Sequence, residues 1–186
     1  MARSNLTKEK IIEATIDLAG KIGLSNVSFP RLAEHFDIKA PSLYNHFKNM
    51  EEVRTSTSTY LQKELNNRLI HDMVGLNPAE SLRAYANVYK AFSEEFSSVF
   101  ELLNVVRQVE NEELSNVFLE NIRLIRRSLE NFELDDEEIF HRSRMFRSLL
   151  HGYITLSQMG YFQGGEKPSK KETFEFMIDK FLEDLV

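Results

Sequence analysis

The side chains with the most chemical potential in this chain lie close together in residues 29–48, which read FPRLAEHFDIKAPSLYNHFK. Lys39 and Ser42 are hydrogen-bond donors of the kind that proteins direct at the edges of nucleic acid bases. Ala40 is small enough to allow contact with a thymine methyl group. Side chains of these types can contact the edges of base pairs if a helix places them in the major groove.

The elements that would position these residues form a helix-turn-helix pattern. Two short helices flank a tight turn at residues 36–39, and Ala33 is small where the two helices must approach closely. Asp37 lies at the turn position that requires a left-handed backbone conformation. The pattern's apolar positions are Leu32, Phe36, Ile38 and Leu43. A second helix held at a steep angle by the first can enter the major groove, which is about 12 Å wide. The spacing also fits a plain helical hairpin in a bundle.

Enzyme and metal chemistry find little support in the sequence. The chain has no cysteine, which excludes disulfides, thiolate metal sites and a cysteine nucleophile. Glu137 and His141 stand four residues apart, and His151 precedes Gly152, but neither pair has a second converging cluster. We therefore expect no catalytic residue, no metal and no cofactor, and we expect His151 to be a satisfied polar residue near a helix contact.

The distribution of proline and glycine predicts an all-α fold. No proline falls between Ala79 and Lys167, and no glycine falls between Leu76 and His151. Sheet proteins need turn residues more often than this. Apolar periodicity and capping residues predict about nine helices: residues 7–22, 29–36, 40–47, 50–71, 78–93, 99–106, 114–129, 136–159 and 170–185.

The charge distribution divides the chain into a head and a body. The net charge is −6, yet residues 1–50 carry +2 and residues 51–186 carry −8. We expect a helix-turn-helix DNA-binding domain at 1–50 and a helical effector-binding and dimerisation domain at 51–186. The uncharged runs are too short to span a bilayer, and the first residues do not resemble a signal peptide. These features predict a cytoplasmic protein with no membrane partner.

Residues 7–53 resemble the DNA-binding domain of the TetR family of transcriptional regulators. The resemblance rests on the helix that begins Ile11-Ile12-Glu13-Ala14, on Ser28-Phe29-Pro30-Arg31-Leu32-Ala33, and on Leu43-Tyr44-Asn45-His46-Phe47. Met50 departs from the family pattern, which usually has a phosphate-contacting lysine there. A second stretch, residues 135–185, resembles one class of C-terminal domain in the same family.

The resemblance implies a homodimeric, ligand-responsive regulator, a repressor, that binds a palindromic double-stranded DNA operator. It places Tyr44 and His46 at positions that contact phosphate. Ser28 and Lys48 are further candidates for phosphate contact. The predicted DNA-binding residues are Ser28, Lys39, Ala40, Ser42, Tyr44, His46 and Lys48.

The body is predicted to bind an unidentified small-molecule effector and to pair two chains. Aromatic residues on a central run of helix are the candidate wall of the effector cavity, namely Tyr89, Phe92, Phe96 and Phe100. An aromatic stripe of this kind is also typical of a plain core. The last two helices have more apolar residues than one stripe needs, so their surplus residues are predicted at a dimer interface: Ser148, Leu149, Gly152, Leu156, Phe174 and Phe181.

Two other classes of function remain open at this point. One is an all-α small-molecule-binding or enzymatic protein with an incidental helical hairpin. The other is a bundle that serves protein interaction alone.

Overall fold

Helices form most of the described part of the chain, as the spacing of proline and glycine in the sequence predicted. The structure is a computed structural model that describes residues 6–107, 111–163 and 167–185, and no strand occurs among them. Three short 3-10 segments accompany the α-helices at Leu24–Asn26, Ala40–Asn45 and Ser97–Arg107. The α-helices are α1 Lys8–Ile22, α2 Phe29–His35, α3 Met50–Met73, α4 Pro78–Glu95, α5 Glu112–Leu129, α6 Asp136–Gln158 and α7 Lys170–Glu183.

The ends of these helices lie where polar capping residues occur in the sequence. The Ser169 hydroxyl accepts from the Glu172 N–H at 3.3 Å, and the Glu172 carboxylate accepts from the Ser169 N–H at 2.8 Å, so α7 begins with a complete capping box. Asn77 caps α4 through its side-chain oxygen, which accepts from the Glu80 N–H at 2.9 Å. Such bonds satisfy N–H groups that have no partner inside the helix.

The turn after α2 is a Schellman motif with an aspartate at its left-handed position. The Ile38 N–H donates to the Ala33 carbonyl at 3.0 Å, and the Asp37 N–H donates to the Glu34 carbonyl at 3.2 Å. These two bonds satisfy the last carbonyls of α2. Asp37 has φ = 52°, which confirms the left-handed backbone predicted for it.

The predicted third helix is a 3-10 helix in the structure. Its N–H groups bond three residues back: Ser42 donates to the Lys39 carbonyl at 3.0 Å, and His46 donates to the Leu43 carbonyl at 2.9 Å. Proline at position 41 fits the first turn, where a backbone N–H has no helical partner. The predicted helix at 99–106 likewise appears as the 3-10 segment Ser97–Arg107.

The chain divides into two compact units. Unit one comprises Met1–Glu64 and Phe96–Phe118, and unit two comprises Leu65–Glu95 and Leu119–Val186. Unit one holds the predicted head together with the first part of α3 and the segment around Ser97–Arg107. The functional division at residue 50 is a different boundary and stays a prediction.

Each unit has its own apolar core. The core of unit one around the helix-turn-helix consists of side chains from α1, α2, the 3-10 segment and α3: Ile11, Ala14, Phe29, Leu32, Ala33, Leu43, Phe47 and Val53. The core of unit two joins α4, α6 and α7, where the Phe146 and Phe181 ring centroids lie 4.7 Å apart. No helix in the described ranges is both long enough and apolar enough to cross a membrane.

The left-handed turn gives a direct test of backbone strain. Asp37 is exposed, so a substitution there changes backbone preference with little change in packing. Because glycine adopts positive φ without a steric penalty, we expect Asp37→Gly to raise the free energy of unfolding by up to about 1 kcal/mol. Asp37→Val should lower it by about 1–2 kcal/mol. Urea denaturation followed by circular dichroism measures both, and equal stability of the two variants would contradict the assignment of strain to this residue.

Candidate DNA interface and helical body

The segment Ala40–Asn45, called the recognition segment below, is held by one deeply buried side chain. Leu43 is 0 % exposed and lies in the core with Leu32 and Ala33 of α2. Phe47, just beyond the segment, is also buried, and the Nζ atom of Lys8 lies 5.1 Å from its ring centroid. The recognition segment is therefore anchored in the core along the side that carries Leu43.

Tyr44 is held in an outward position by an aromatic contact. Its ring packs edge-on against Phe29, the first residue of α2, with 4.7 Å between the centroids. The side chain is nevertheless 60 % exposed. A phenol fixed at its base and exposed at its hydroxyl can donate to a phosphate oxygen with little loss of rotamer entropy.

The other predicted DNA-binding residues lie around the same segment with different exposures. Lys39 and Lys48 are exposed, while Ala40, Ser42 and His46 are half-buried. The Lys48 N–H donates to the Glu52 carboxylate at 2.7 Å, which positions the backbone at the start of α3. These side chains all lie on one short stretch of the head.

Ser28 occupies the N-cap position of α2, as expected. Its side chain forms no capping hydrogen bond, and the residue is half-buried. Its hydroxyl is thus not committed to the helix. Contact between Ser28 and phosphate stays a prediction.

Sequence reasoning did not select Asn45, which is exposed at the end of the recognition segment. The signal that identifies it is the three-residue period of a 3-10 helix, which places Lys39, Ser42 and Asn45 in one row. An α-helical period, which the sequence suggested, would have spread these residues around the helix.

The predicted effector residues belong to two different units. Tyr89 and Phe92 lie on α4 in unit two, whereas Phe96 and Phe100 lie in unit one. Phe92 and Phe100 are buried, and Tyr89 and Phe96 are half-buried. Phe92 lines a groove of about 420 Å³ in unit two, and the other residues around this groove are Asn67, Arg68, His71, Asp72, Val88 and Ala91.

Arg68, one of the residues around that groove, makes two interactions. Its guanidinium donates to both carboxylate oxygens of Glu95, at 2.5 and 3.1 Å, and it lies 5.3 Å from the Phe92 ring centroid. The hydrogen bonds from Arg68 lower the pKa of Glu95. The groove thus combines an apolar floor with a charged rim.

A buried polar network inside unit two was not evident from the sequence. The Tyr85 hydroxyl donates to the Asn121 side-chain oxygen at 2.6 Å, and the Asn121 amide donates to the Asn66 oxygen at 3.1 Å. The Tyr89 ring stacks on Tyr85 with 6.1 Å between centroids. Burial raises the pKa of Tyr85 and raises that of Tyr89 to about 12, although the positive charge of Arg147 opposes both rises. Both hydroxyls are therefore neutral donors at ordinary pH.

In unit one, α3 also carries a polar buried face. The Ser58 hydroxyl donates to the Leu102 carbonyl at 2.7 Å, and the Gln62 amide donates to the Leu103 carbonyl at 3.1 Å. These bonds join α3 to the 3-10 segment Ser97–Arg107. The sequence signal for this face is weak, because residues 54–59 read RTSTST and have no apolar stripe.

The two apolar faces predicted for α6 are present. Phe146, Leu150 and Tyr153 are buried on one face. The opposite face is exposed or half-buried and contains Met145, Ser148, Leu149, Gly152, Leu156 and Met159. A methyl group added at Gly152 would meet no atom within 4 Å.

Two residues predicted at the dimer interface lie in the core of their own chain. Phe174 is 1 % exposed and packs 5.2 Å from the Tyr153 ring, and Phe181 is 2 % exposed and packs against Phe146. The exposed aromatic residue of α7 is Phe176. The amphipathic stripe of α7 therefore serves the core of unit two, and contact of Phe174 or Phe181 with a second chain has no support in their positions.

The acidic and histidine residues form no evident metal centre. Among the described residues, no three histidine, aspartate or glutamate side chains are close enough to hold an ion. Glu137 and His141 form an exposed ion pair at 3.6 Å. Burial lowers the pKa of His151, whose Nε2 lies 3.4 Å from the Thr155 hydroxyl.

Comparison with protein families finds two models that match this chain. Residues 11–56 match the model described as bacterial regulatory proteins, tetR family, and residues 82–181 match the tetracyclin repressor-like C-terminal domain. A relative in Bacillus subtilis, the uncharacterized HTH-type transcriptional regulator YobS, is 25 % identical over 99 % of this chain and 95 % of its own length.

Solved structures share the fold over the whole chain. A Rhodococcus protein of unknown function is 14 % identical, with a TM-score of 0.84 and coverage of 100 % of this chain and 99 % of its own. The structure of AibR in complex with isovaleryl coenzyme A and operator DNA is 13 % identical, with a TM-score of 0.67 and coverage of 93 % and 96 %.

The buried network in unit two predicts a specific loss of stability. Tyr85→Phe removes the donor to Asn121 and leaves that buried oxygen short of a partner. We expect the free energy of unfolding to fall by about 1–3 kcal/mol. Tyr161→Phe is the control, because Tyr161 is exposed, and it should change stability by less than about 0.5 kcal/mol. Urea denaturation of both variants is the measurement, and equal effects would show that the network contributes nothing.

Proposed function

Because this chain belongs to the TetR family of transcriptional regulators, we propose that it is a homodimeric repressor that binds a palindromic operator and responds to a small molecule. The observation that carries the DNA part of the proposal is the recognition segment. Leu43 anchors it in the core, while Lys39 and Tyr44 are exposed beside it. The chain acts in the cytoplasm, where its DNA is, and it is not an enzyme.

The head, residues 1–50, supplies the contacts to DNA. Lys39 and Ser42 face base edges in the major groove, with Ala40 beside a thymine methyl group. Tyr44, His46, Ser28 and Lys48 contact phosphates and fix the register. The exposed hydroxyl of Tyr44 and the exposed ammonium groups of Lys39 and Lys48 support these roles.

The body, residues 51–186, binds the effector and pairs the chains. Tyr89, Phe92, Phe96 and Phe100 contribute to effector binding, and the groove beside Phe92 supports this for one of them. AibR, which has the same fold, has been solved with isovaleryl coenzyme A and operator DNA together. An effector releases the operator only if it binds the DNA-incompetent state more tightly than the competent one.

The exposed face of α6 is the surface that pairs two chains. Met145 and Leu156 are 38 % and 40 % exposed, and Met159 is 65 % exposed. Ser148 and Gly152, which share this helix face with the large apolar side chains, allow close approach of a two-fold mate. Two heads held about 34–36 Å apart read two half-sites, which a single head cannot do.

Two substitutions in the head test the DNA-binding proposal. Lys39→Ala should weaken binding to the operator by about 1–3 kcal/mol and relax the preference at one base pair. Tyr44→Phe keeps the ring against Phe29 but removes the hydroxyl, so it should weaken binding to all sequences alike. Fluorescence anisotropy with labelled DNA from upstream of the gene, at two salt concentrations, measures both. Binding equal to that of the parent in both variants would refute the assignment of the recognition segment.

A single substitution on α6 tests the dimer. The space around Gly152 is open within its own chain, so a Gly152→Leu monomer should fold normally. Against a two-fold mate the leucine should cost about 1–3 kcal/mol of overpacking at each of two symmetric sites. Light scattering should then show a monomer that binds the operator weakly. Asn87→Leu, at an exposed position of α4, is the matched control, and a stable Gly152→Leu dimer with normal DNA affinity would place the interface elsewhere.

A further inference from the structure

The 3-10 geometry of the recognition segment sorts its side chains into three rows. A 3-10 helix has three residues per turn, so residues three apart lie above one another. One row consists of Ala40, Leu43 and His46, of which Leu43 is buried in the core and the two end members are half-buried. A second row contains Tyr44, whose ring packs against Phe29.

The third row consists of Ser42 and Asn45 together with Lys39, the N-cap residue, whose backbone is extended. Ser42 is half-buried, and Lys39 and Asn45 at the two ends of the row are exposed. Within the described part of the chain, neither the Lys39 ammonium nor the Asn45 amide has a hydrogen-bond partner or an ion-pair partner. These two side chains thus keep their full capacity to bind an external group.

The two ends of this row match two different bases. A lysine donates to the O6 and N7 acceptors of guanine, whereas an asparagine amide both donates to N7 and accepts from N6 of adenine. The rise of about 2.0 Å per residue separates Lys39 from Asn45 by about 12 Å. Successive base pairs are about 3.4 Å apart along the DNA axis. Because a helix lies inclined in the groove, only part of the roughly 12 Å runs along that axis, so the two side chains reach base pairs about two to four positions apart.

We propose that Asn45 is a specificity-determining residue that reads an adenine two to four base pairs from the base pair read by Lys39. This inference rests on the proposed function, because it needs the recognition segment to lie in the major groove. The inference adds to the proposed function that each half-site contains a guanine and an adenine two to four base pairs apart. Ser42, between them, contacts the intervening base edges.

Selection from a random library of double-stranded DNA by the full chain provides the test. The parent, Lys39→Ala and Asn45→Ala are each used to select bound sequences, and base preference is read at every position. We expect Asn45→Ala to lose about five- to 150-fold of discrimination for adenine at one position of each half-site. Lys39→Ala should lose discrimination for guanine two to four positions away.

A charge-changing variant gives a second readout that a loss of stability cannot imitate. Asn45→Asp can accept from the N4 amino group of cytosine but cannot donate to adenine N7. Its selected sequences should therefore replace adenine by cytosine at the position that Asn45→Ala relaxes. Asn116→Ala, at an exposed position on α5, is the matched control and should leave every preference unchanged.

The outcomes separate this inference from the proposed function. If the parent enriches no sequence, the proposed function fails. If the parent enriches a palindromic site but Asn45→Ala keeps the same preference at every position, the inference alone fails. The row geometry also makes a prediction about distance. It is overturned if the base pair relaxed by Asn45→Ala is the one relaxed by Lys39→Ala, is next to it, or lies more than four base pairs from it.

Discussion

The position of the recognition segment depends on one reversal of the backbone, at Asp37. The positive φ of this residue lets the Asp37 and Ile38 N–H groups return to the carbonyls of α2, so that helix ends with its acceptors satisfied. The chain then leaves in the direction that carries Leu43 into the core. The recognition segment is thus positioned by a local backbone angle together with a single buried side chain.

The body shows how hydrogen bonding, rather than apolar burial alone, specifies helix positions. The buried face of a helix in a globular protein is mostly apolar. In contrast, α3 buries the polar residues Ser58 and Gln62 in unit one and Asn66 in unit two. Each has a partner on another segment, namely the carbonyls of Leu102 and Leu103 and the amide of Asn121. A buried polar group without a partner is costly, so α3 cannot slide along its neighbours without breaking these bonds.

The two faces of α6 illustrate how far the apolar pattern of a helix can predict which residues face the core and which face a second chain. In α6 the apolar residues lie on two faces, with the buried Phe146, Leu150 and Tyr153 on one and the half-buried or exposed Leu149, Leu156 and Met159 on the other. The same reasoning finds no support in α7 for Phe174 and Phe181, whose rings lie within the core of their own chain. The difference is that α7 has only one apolar stripe, and the chain uses a single stripe to pack the helix against its own core. Only apolar residues outside the stripe that packs on the chain's own core are available to contact a second chain.

The sequence by itself determined the helical class, the caps and the left-handed turn, because proline, glycine and capping residues act through local backbone geometry. It also determined the helix-turn-helix motif, since the Leu-Tyr-Asn-His-Phe run and the apolar spacing around it lie within one short stretch. Tertiary structure alone decided that the recognition segment is a 3-10 helix with Asn45 in the row of Lys39. It alone joined Tyr85, Asn121 and Asn66, which lie 36 and 55 residues apart in the chain. Contacts over such separations depend on how helices pack, and no local pattern of side chains encodes which polar groups will meet.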